Sequence, residues 1–188
     1  MLNLPNCLTL IRILAIPLFL VLLSSHLYLD ALIVFVLGSL TDVLDGAVAR
    51  MTNQQTPLGA YLDPLADKLL VISSFVMLGL ISVIPPWLAV LVVSRDIIIL
   101  FGYGMLYLLV EERLKARPSF IGKLNTFFQL VTVGTVLALL YDPHFVPVWL
   151  KDWLIYITGV TTVISGFQYI YRGLMWLQNR ATSLSRIS

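Results

Sequence analysis

Six apolar runs, each long enough to cross a lipid bilayer, constrain this chain more than any other feature. A membrane-spanning helix needs about 20 consecutive, mainly apolar residues. Of the 188 residues, 59% are hydrophobic and only 12% are charged, whereas a soluble domain carries about 25% charged residues. The mean hydropathy is +0.94. The composition therefore predicts an integral membrane protein, and the runs cover 8–26, 30–50, 62–82, 87–110, 120–141 and 152–177.

The predicted fold is all-α, with six transmembrane helices in a single domain over residues 1–188. A segment inside the bilayer must satisfy its own backbone hydrogen bonds, which favours helices throughout. The basic residues concentrate at one set of helix ends: Arg12, Arg50, Lys68, Arg113, Lys115, Arg117, Lys123, Arg172, Arg180 and Arg186. Because basic ends face the cytosol, we expect both termini there, in a membrane of the bacterial inner type. A net charge of +2 is too small to indicate a nucleic-acid partner.

Four aspartates interrupt the apolar pattern. Asp42 and Asp45 lie three residues apart near the end of the second run, and Asp63 and Asp67 lie four apart at the start of the third. These spacings place side chains on one face of a helix. A short polar loop joining the two runs would bring the four carboxylates together, and such a cluster beside lipid is very unfavourable without a counter-charge. The pattern predicts a bound cation; the plainer alternative is a set of capped, water-facing helix ends.

A hard divalent metal suits this cluster, because Mg²⁺ prefers oxygen ligands and keeps positions open for phosphate. Two such ions can clamp the attacking and leaving oxygens of a phosphoryl transfer. Gly46 and Gly59 offer surface without side chains, which lets a nucleotide approach the backbone. Arg50 is placed to meet a phosphate with its planar guanidinium. These residues favour metal-dependent phosphoryl chemistry. Because the motif lies at the basic, cytosolic ends of the helices, we expect the site to be within reach of soluble metabolites.

The spacing D-x2-D-G-x2-A-R-x8-G-x3-D-x3-D resembles the signature of the CDP-alcohol phosphatidyltransferases. Every fixed position is present: Asp42, Asp45, Gly46, Ala49, Arg50, Gly59, Asp63 and Asp67. The six-helix layout and the cytosolic position of the motif are also similar to that family, so the resemblance covers nearly the whole chain.

The resemblance implies transfer of a phosphatidyl group from CDP-diacylglycerol to an alcohol, with release of CMP. It implies Mg²⁺ or Mn²⁺, two ions in all, on Asp42, Asp45, Asp63 and Asp67. Asp67 is the implied general base for the acceptor hydroxyl, which must lose its proton as it attacks phosphorus. Contacts to CDP are implied for Asp42, Gly46, Arg50 and Gly59, and the family suggests a homodimer in the bilayer.

The acceptor pocket is less well marked. Arg95 lies mid-way along the fourth run, where an arginine needs a partner or a ligand; Asp96 is adjacent, but neighbouring helical residues point about 100° apart and are not expected to pair. Lys123 opens the fifth run, Arg117 precedes it, and Arg12 lies in the first run. These four residues are candidates for an acceptor phosphate. Their alternatives are a structural ion pair for Arg95, a lipid-headgroup contact for Arg113, Lys115 and Arg117, and an interfacial helix for the N-terminal segment.

Lys68 has two interpretations of its own. It pairs with an aspartate, or it extends to the membrane interface with its aliphatic stem along apolar surface.

Basic residues beside the site favour a phosphate-bearing acceptor. Glycerol 3-phosphate ranks first, and the opening NLPNCLTLIRILAIP resembles phosphatidylglycerophosphate synthases. Phosphatidylglycerol ranks second, because SRD together with PSFIGKLNT is similar to the cardiolipin synthases of the same superfamily; serine and inositol phosphate come after. Outside this class, intramembrane acids also suit a cation-coupled transporter, but here they gather at one end of two helices and no inverted repeat is evident.

Overall fold

Six α-helices form the described part of the chain. The computed structural model describes residues 4–52, 59–110 and 119–184, with side chains at 11–41, 68–102, 119–175 and 178. No strand occurs within those ranges. The helices are α1 (Leu4–Ser24), α2 (Tyr28–Thr52), α3 (Gly59–Leu80), α4 (Pro86–Val110), α5 (Phe120–Tyr141) and α6 (Val148–Leu184). The prediction of an all-helical chain is confirmed, and each predicted run corresponds to one helix.

The helix ends follow local chemistry. Ser119 caps α5 by accepting a hydrogen bond from the backbone N–H of Gly122 at 3.0 Å, which satisfies one of the amides that a helix start leaves open. Pro86 stands at the first position of α4, where a missing N–H costs nothing. The α5 range coincides with the predicted 120–141, whereas α6 extends beyond the predicted 152–177 at both ends.

The helices pack as a closed bundle. α1 packs against α2 and α3, α3 against α4, α4 against α6, and α5 against α6, α2 and α3. Small residues allow close approach where helices meet: a Cβ on Gly38 would lie 3.0 Å from Leu70 Cδ2, and one on Gly79 would lie 3.1 Å from Ala89 Cβ. Such contacts are typical of helix association in lipid, where van der Waals packing replaces the hydrophobic drive.

The surface carries apolar side chains on every helix. Leu14, Phe101, Phe127 and Phe167 are among those at least half exposed, and Leu80 is 75% exposed. Two helical stretches, Phe120–Tyr141 and Val148–Met175, are long and apolar enough to cross a membrane; shorter apolar stretches lie at Ile11–Ser24, Tyr28–Thr41 and Lys68–Leu80. The finding covers the described residues and is consistent with a membrane protein, while six complete spans stay a prediction.

The interior of the bundle is divided along its length. Its apolar core uses one half of each helix and includes Phe19, Leu23, Ala31, Phe35, Phe75, Leu78, Leu88, Val92, Val133, Leu137 and Ile155. Most of the buried polar and charged side chains, unlike Ser74, lie farther toward the other end; they include Arg12, Arg95, Asp96, Asn125, Gln129, Thr162 and Ser165. Because successive helices alternate in direction, these positions converge on the end where α2 finishes and α3 begins. That end carries the aspartate motif.

Candidate active site

The aspartate motif is carried by two helices that meet at the polar end. Asp42 and Asp45 fall in the second half of α2, and Asp63 and Asp67 fall in the first half of α3. The predicted placement of each pair on a continuous helix is confirmed. Their side chains, like those of Gly46, Ala49, Arg50 and Gly59, lie outside the described residues, as does all of Arg117. The convergence of the four carboxylates therefore stays a prediction.

A charged cluster begins one residue after the motif. Lys68 Nζ, on α3, lies 2.9 Å from Asp96 Oδ1 on α4. Asp96 is fully buried as a side chain, and that of Lys68 is 24% exposed. Of the two interpretations of Lys68, the ion pair is the one that the structure contains, and Asp96 is a partner among the described residues. This pair ties the first turns of the motif helix α3 to α4.

Arg95 completes the cluster from within α4. Its Nη1 donates to Asp96 Oδ1 at 2.5 Å, so the expectation that these neighbours would not pair is wrong. The long arginine side chain bends back to its neighbour, which overcomes the angle between the two Cα–Cβ bonds. Arg95 Nη2 donates to Ser165 Oγ on α6 at 2.6 Å. One carboxylate thus joins two cations, and the cluster links α3, α4 and α6.

Tyr169 and Gly122 extend this cluster to α5. The guanidinium carbon of Arg95 stands 5.5 Å from the centroid of the Tyr169 ring, a distance at which a cation is attracted to the ring face. A Cβ on Gly122 would lie 3.2 Å from the Tyr169 hydroxyl and 3.0 Å from Ser119 Oγ. The glycine therefore gives Tyr169 room beside the capped start of α5.

A second set of polar groups lies deeper between α5 and α6. Asn125 Oδ1 accepts hydrogen bonds from Thr161 Oγ1 at 3.0 Å and Thr162 Oγ1 at 2.9 Å. Thr132 Oγ1 lies 2.8 Å from Thr158 Oγ1. Sequence reasoning missed these residues, together with Ser165, Tyr169 and Gln129. Their signal was present as polar residues at helical spacing, positions 125, 129 and 132 on α5 and 158, 162, 165 and 169 on α6.

The predicted acceptor residues differ in their surroundings. Arg12 is 2% exposed and Arg95 is 6% exposed, so both lie inside the bundle. Lys123 is exposed, on a face of α5 shared with Phe120 and Phe127. That face suits a lysine at the membrane interface, and the bonds of Arg95 to Asp96 and Ser165 match its structural alternative; an acceptor role for Arg12, Arg95 or Lys123 stays a prediction.

Within the described residues, no group of three His, Cys, Asp or Glu side chains lies close enough to hold a metal ion. The carboxylates predicted to do so belong to the motif, whose side chains fall outside that description. In chemical type and spacing, four aspartates on two adjoining helices fit a hard divalent ion.

A sequence model of the family described as CDP-alcohol phosphatidyltransferase matches residues 2–164. The chain belongs to this family, which makes it a transferase of phospholipid biosynthesis that uses a CDP-linked donor and an alcohol acceptor. Enzymes of this family are associated with membranes and depend on divalent metal ions. The resemblance seen in the motif is thereby confirmed.

Curated relatives cover almost all of the chain. A CDP-diacylglycerol–glycerol-3-phosphate 3-phosphatidyltransferase of Bacillus subtilis is 30% identical over 184 residues, which is 90% of this chain and 94% of that protein. A probable phosphatidylglycerophosphate synthase of Mycobacterium tuberculosis is 35% identical, covering 92% and 82%. A human cardiolipin synthase (CMP-forming) is 34% identical, covering 94% of this chain and 63% of its own length.

Proposed function

We propose that this protein transfers the phosphatidyl group of CDP-diacylglycerol to glycerol 3-phosphate, giving phosphatidylglycerol phosphate and CMP. The observation that carries the proposal is the divided interior, in which the buried charged residues Arg12, Arg95 and Asp96 lie between the apolar core and the end that bears the complete motif. The full-length similarity to the Bacillus subtilis enzyme supports the choice of acceptor. The second candidate is a cardiolipin synthase with phosphatidylglycerol as acceptor, favoured by the similarity to the human enzyme.

In this mechanism the α2 and α3 aspartates hold the diphosphate end of the donor. Asp42, Asp45, Asp63 and Asp67 are the proposed ligands of two Mg²⁺ or Mn²⁺ ions, which supply charge neutralisation at the transferring phosphorus. Gly46 and Gly59 leave space for the cytidine nucleotide, and Arg50 contacts its phosphate.

Asp67 takes the proton from the acceptor hydroxyl as its oxygen attacks the lipid-side phosphorus and CMP departs. This role requires Asp67 to lie within hydrogen-bond reach of that hydroxyl in the ternary complex.

The acceptor phosphate is proposed to lie near Arg12 and Arg95, with Arg117 and Lys123 as outer contacts. Arg95 is held by Asp96 and Ser165, which limits its rotamers and favours one orientation for ligand binding. We propose six spans with both termini in the cytosol of a bacterial-type inner membrane, and a homodimer in the bilayer.

An acceptor panel tests the function directly. Purified protein in detergent–lipid micelles receives labelled CDP-diacylglycerol and either glycerol 3-phosphate, phosphatidylglycerol, serine or inositol phosphate, and the lipid products are separated. We expect glycerol 3-phosphate to give phosphatidylglycerol phosphate, and the other three acceptors to give no lipid product. Cardiolipin with the second would establish the alternative, and no CMP with any acceptor would refute the transferase assignment of this chain.

Metal removal completes the test. Because four carboxylates need cations to bind a diphosphate, EDTA should abolish CMP release and added Mg²⁺ or Mn²⁺ should restore it, whereas Ca²⁺, with its looser geometry, should not. Full activity after chelation would contradict the proposed role of the aspartates.

A further inference from the structure

One face of α5 carries amide and hydroxyl side chains into the bundle. Asn125, Gln129 and Thr132 follow one another at steps of four and three residues, and they are 0%, 0% and 1% exposed. Side chains at these steps lie on the same face of a helix. A polar face so completely removed from both solvent and lipid requires hydrogen-bond partners along its length.

The partners that α6 supplies cover only part of this face. Thr132 is satisfied by the Phe128 carbonyl at 2.8 Å and by Thr158, and the Asn125 oxygen by Thr161 and Thr162. Neither Oε1 nor Nε2 of Gln129 has a hydrogen-bond partner, and Nδ2 of Asn125 has none. Exchanging O and N in either amide does not remove the deficit, because both polar atoms of Gln129 are unsatisfied.

These unsatisfied atoms lie inside the bundle, in the half that carries the motif. α5 packs against α2, α3 and α6. Asn125 and Gln129 stand five and nine residues beyond Phe120, which places them about 8 and 14 Å along the helix axis. Asp45 stands seven residues before the end of α2 at Thr52, or about 10 Å from it. The amides, in the first half of α5, and Asp45, in the second half of α2, therefore lie in the same half of the bundle.

A hydroxyl group matches what Gln129 presents. The side-chain amide offers donors and an acceptor together, and a hydroxyl both donates and accepts. A phosphate, which only accepts hydrogen bonds, would leave the Oε1 acceptor of Gln129 unsatisfied. An adjacent pair of hydroxyls would satisfy both ends of Gln129, with Asn125 Nδ2 as a further donor.

We propose that Gln129, assisted by Asn125, binds the glycerol hydroxyls of the acceptor and so determines specificity for a glycerol-bearing substrate. This inference rests on the proposed function. The glycerol group is common to glycerol 3-phosphate and to the head group of phosphatidylglycerol, so the assignment concerns the polyol and not the phosphate.

The test compares Gln129→Leu and Gln129→Met with the wild type for both acceptors. With whichever acceptor the wild type uses, the acceptor KM of each Gln129 variant should be at least about tenfold higher than that of the wild type, equivalent to about 1.4 kcal/mol. The KM for CDP-diacylglycerol should stay within about twofold of the wild-type value. An activity with glycerol 3-phosphate identifies the soluble source of the glycerol group, and an activity with phosphatidylglycerol identifies the lipid source. Thr132→Val is the matched control, because its hydroxyl is already bonded within the protein, and its acceptor KM should not change.

A second measurement separates this inference from the proposed function. Thermal unfolding of the detergent-solubilised protein is followed with and without glycerol 3-phosphate, and separately with added phosphatidylglycerol. One of these ligands should raise the Tm of the wild type but not of Gln129→Leu. Wild-type protein that releases no CMP refutes the proposed function, and the ligand-induced shift then decides the inference alone. An unchanged acceptor KM and an equal ligand-induced shift in Gln129→Leu would show that Gln129 holds internal water only, and would overturn the proposal.

Discussion

Asp96 is the residue through which the charges near the site are balanced. Its buried Oδ1 contacts Lys68 Nζ and Arg95 Nη1, so one carboxylate faces two cations from α3 and α4. Breaking a buried ion pair on one side is strongly destabilising, because the remaining charge stays in a medium that solvates it poorly. The position of Lys68 next to Asp67 means that a disturbed cluster also shifts the helix that carries the motif.

Asp96→Asn should therefore destabilise the protein. We expect a loss of about 3 kcal/mol or more in unfolding free energy, since the variant keeps the shape of the side chain but removes its charge. The measurement is denaturant unfolding in detergent, followed by circular dichroism.

Asp152→Asn is the control for this experiment. Asp152 is an exposed acid of α6 toward the other end of the bundle, and its substitution should change stability by less than about 0.5 kcal/mol. Equal stability of Asp96→Asn and the wild type would mean that the cluster contributes nothing net to the fold.

Asp67→Asn isolates the proposed base. The amide cannot accept the hydroxyl proton, so kcat should fall at least about 100-fold, within the range of general-base contributions. Binding of CDP-diacylglycerol, measured by tryptophan fluorescence, should stay within a few-fold of the wild type. A parallel loss of binding would mean that Asp67 acts mainly as a metal ligand, and would count against its role as the base.

At the scale of helices, α4 and α6 approach each other through Gly159. A Cβ at this position would lie 2.8 Å from Trp87 Cζ3 and 3.0 Å from Trp87 Cη2. The Trp87 ring also lies 6.4 Å from that of Tyr156 on α6, centroid to centroid. The Trp87 ring therefore occupies the space that a side chain at position 159 would need, between α4 and α6 at the apolar end.

Gly159→Ala should lower the stability of the protein although alanine is the better helix former. The added methyl group forces the Trp87 ring aside, and overpacking of this kind costs about 1–3 kcal/mol. Gly134→Ala is the matched control, since a Cβ there meets no atom within 4 Å, and we expect unchanged or slightly increased stability from its helix propensity. Thermal unfolding of both variants decides, and a Gly159→Ala protein as stable as Gly134→Ala would contradict the close packing.

The sequence predicted helices and helix ends that depend on local residues, but not contacts between distant residues. The apolar runs predicted all six helices, and α5 matched in range because Ser119 and Asp142 stand at its ends as local boundary residues. α6 continues to Leu184 because helix formation depends on backbone bonding, whereas the prediction stopped where the apolar run stopped. The contact of Lys68 with Asp96 was not predictable, because the two residues are 28 positions apart and only packing of α3 against α4 brings them together.

In the candidate site, too, the local motif was predictable and the contacts between helices were not. The motif could be recognised because its spacing is local and complete, from Asp42 to Asp67. The unsatisfied state of Gln129 could not, because it depends on which hydroxyls of α6 reach α5. The threonines bond to Asn125 and to Thr132 and leave Gln129 between them, a result of helix register that no single segment contains.

For the molecule as a whole, the orientation in the membrane is a prediction. The divided interior defines a polar end and an apolar end, and the question is which of them faces the cytosol. α6 has 37 residues, which at about 1.5 Å per residue is nearly twice the hydrocarbon thickness of about 30 Å. Its apolar sequence gives way to Gln178, Asn179 and Arg180, so the last turns should project from the bilayer at the polar end. With the basic residues concentrated there, that end should face the cytosol.

Cysteine accessibility tests this orientation. In a Cys7→Ser background, Ser25→Cys and His144→Cys place single thiols in the α1–α2 and α5–α6 connections, where both native residues are exposed. A membrane-impermeant maleimide added to intact cells should label these two variants, and should label Ser188→Cys only after permeabilisation. Labelling of Ser188→Cys in intact cells would reverse the orientation and place the aspartate motif outside, away from the cytosolic supply of glycerol 3-phosphate. Labelling of Ser25→Cys and His144→Cys on opposite sides would exclude six spans, because each lies after an odd number of crossings.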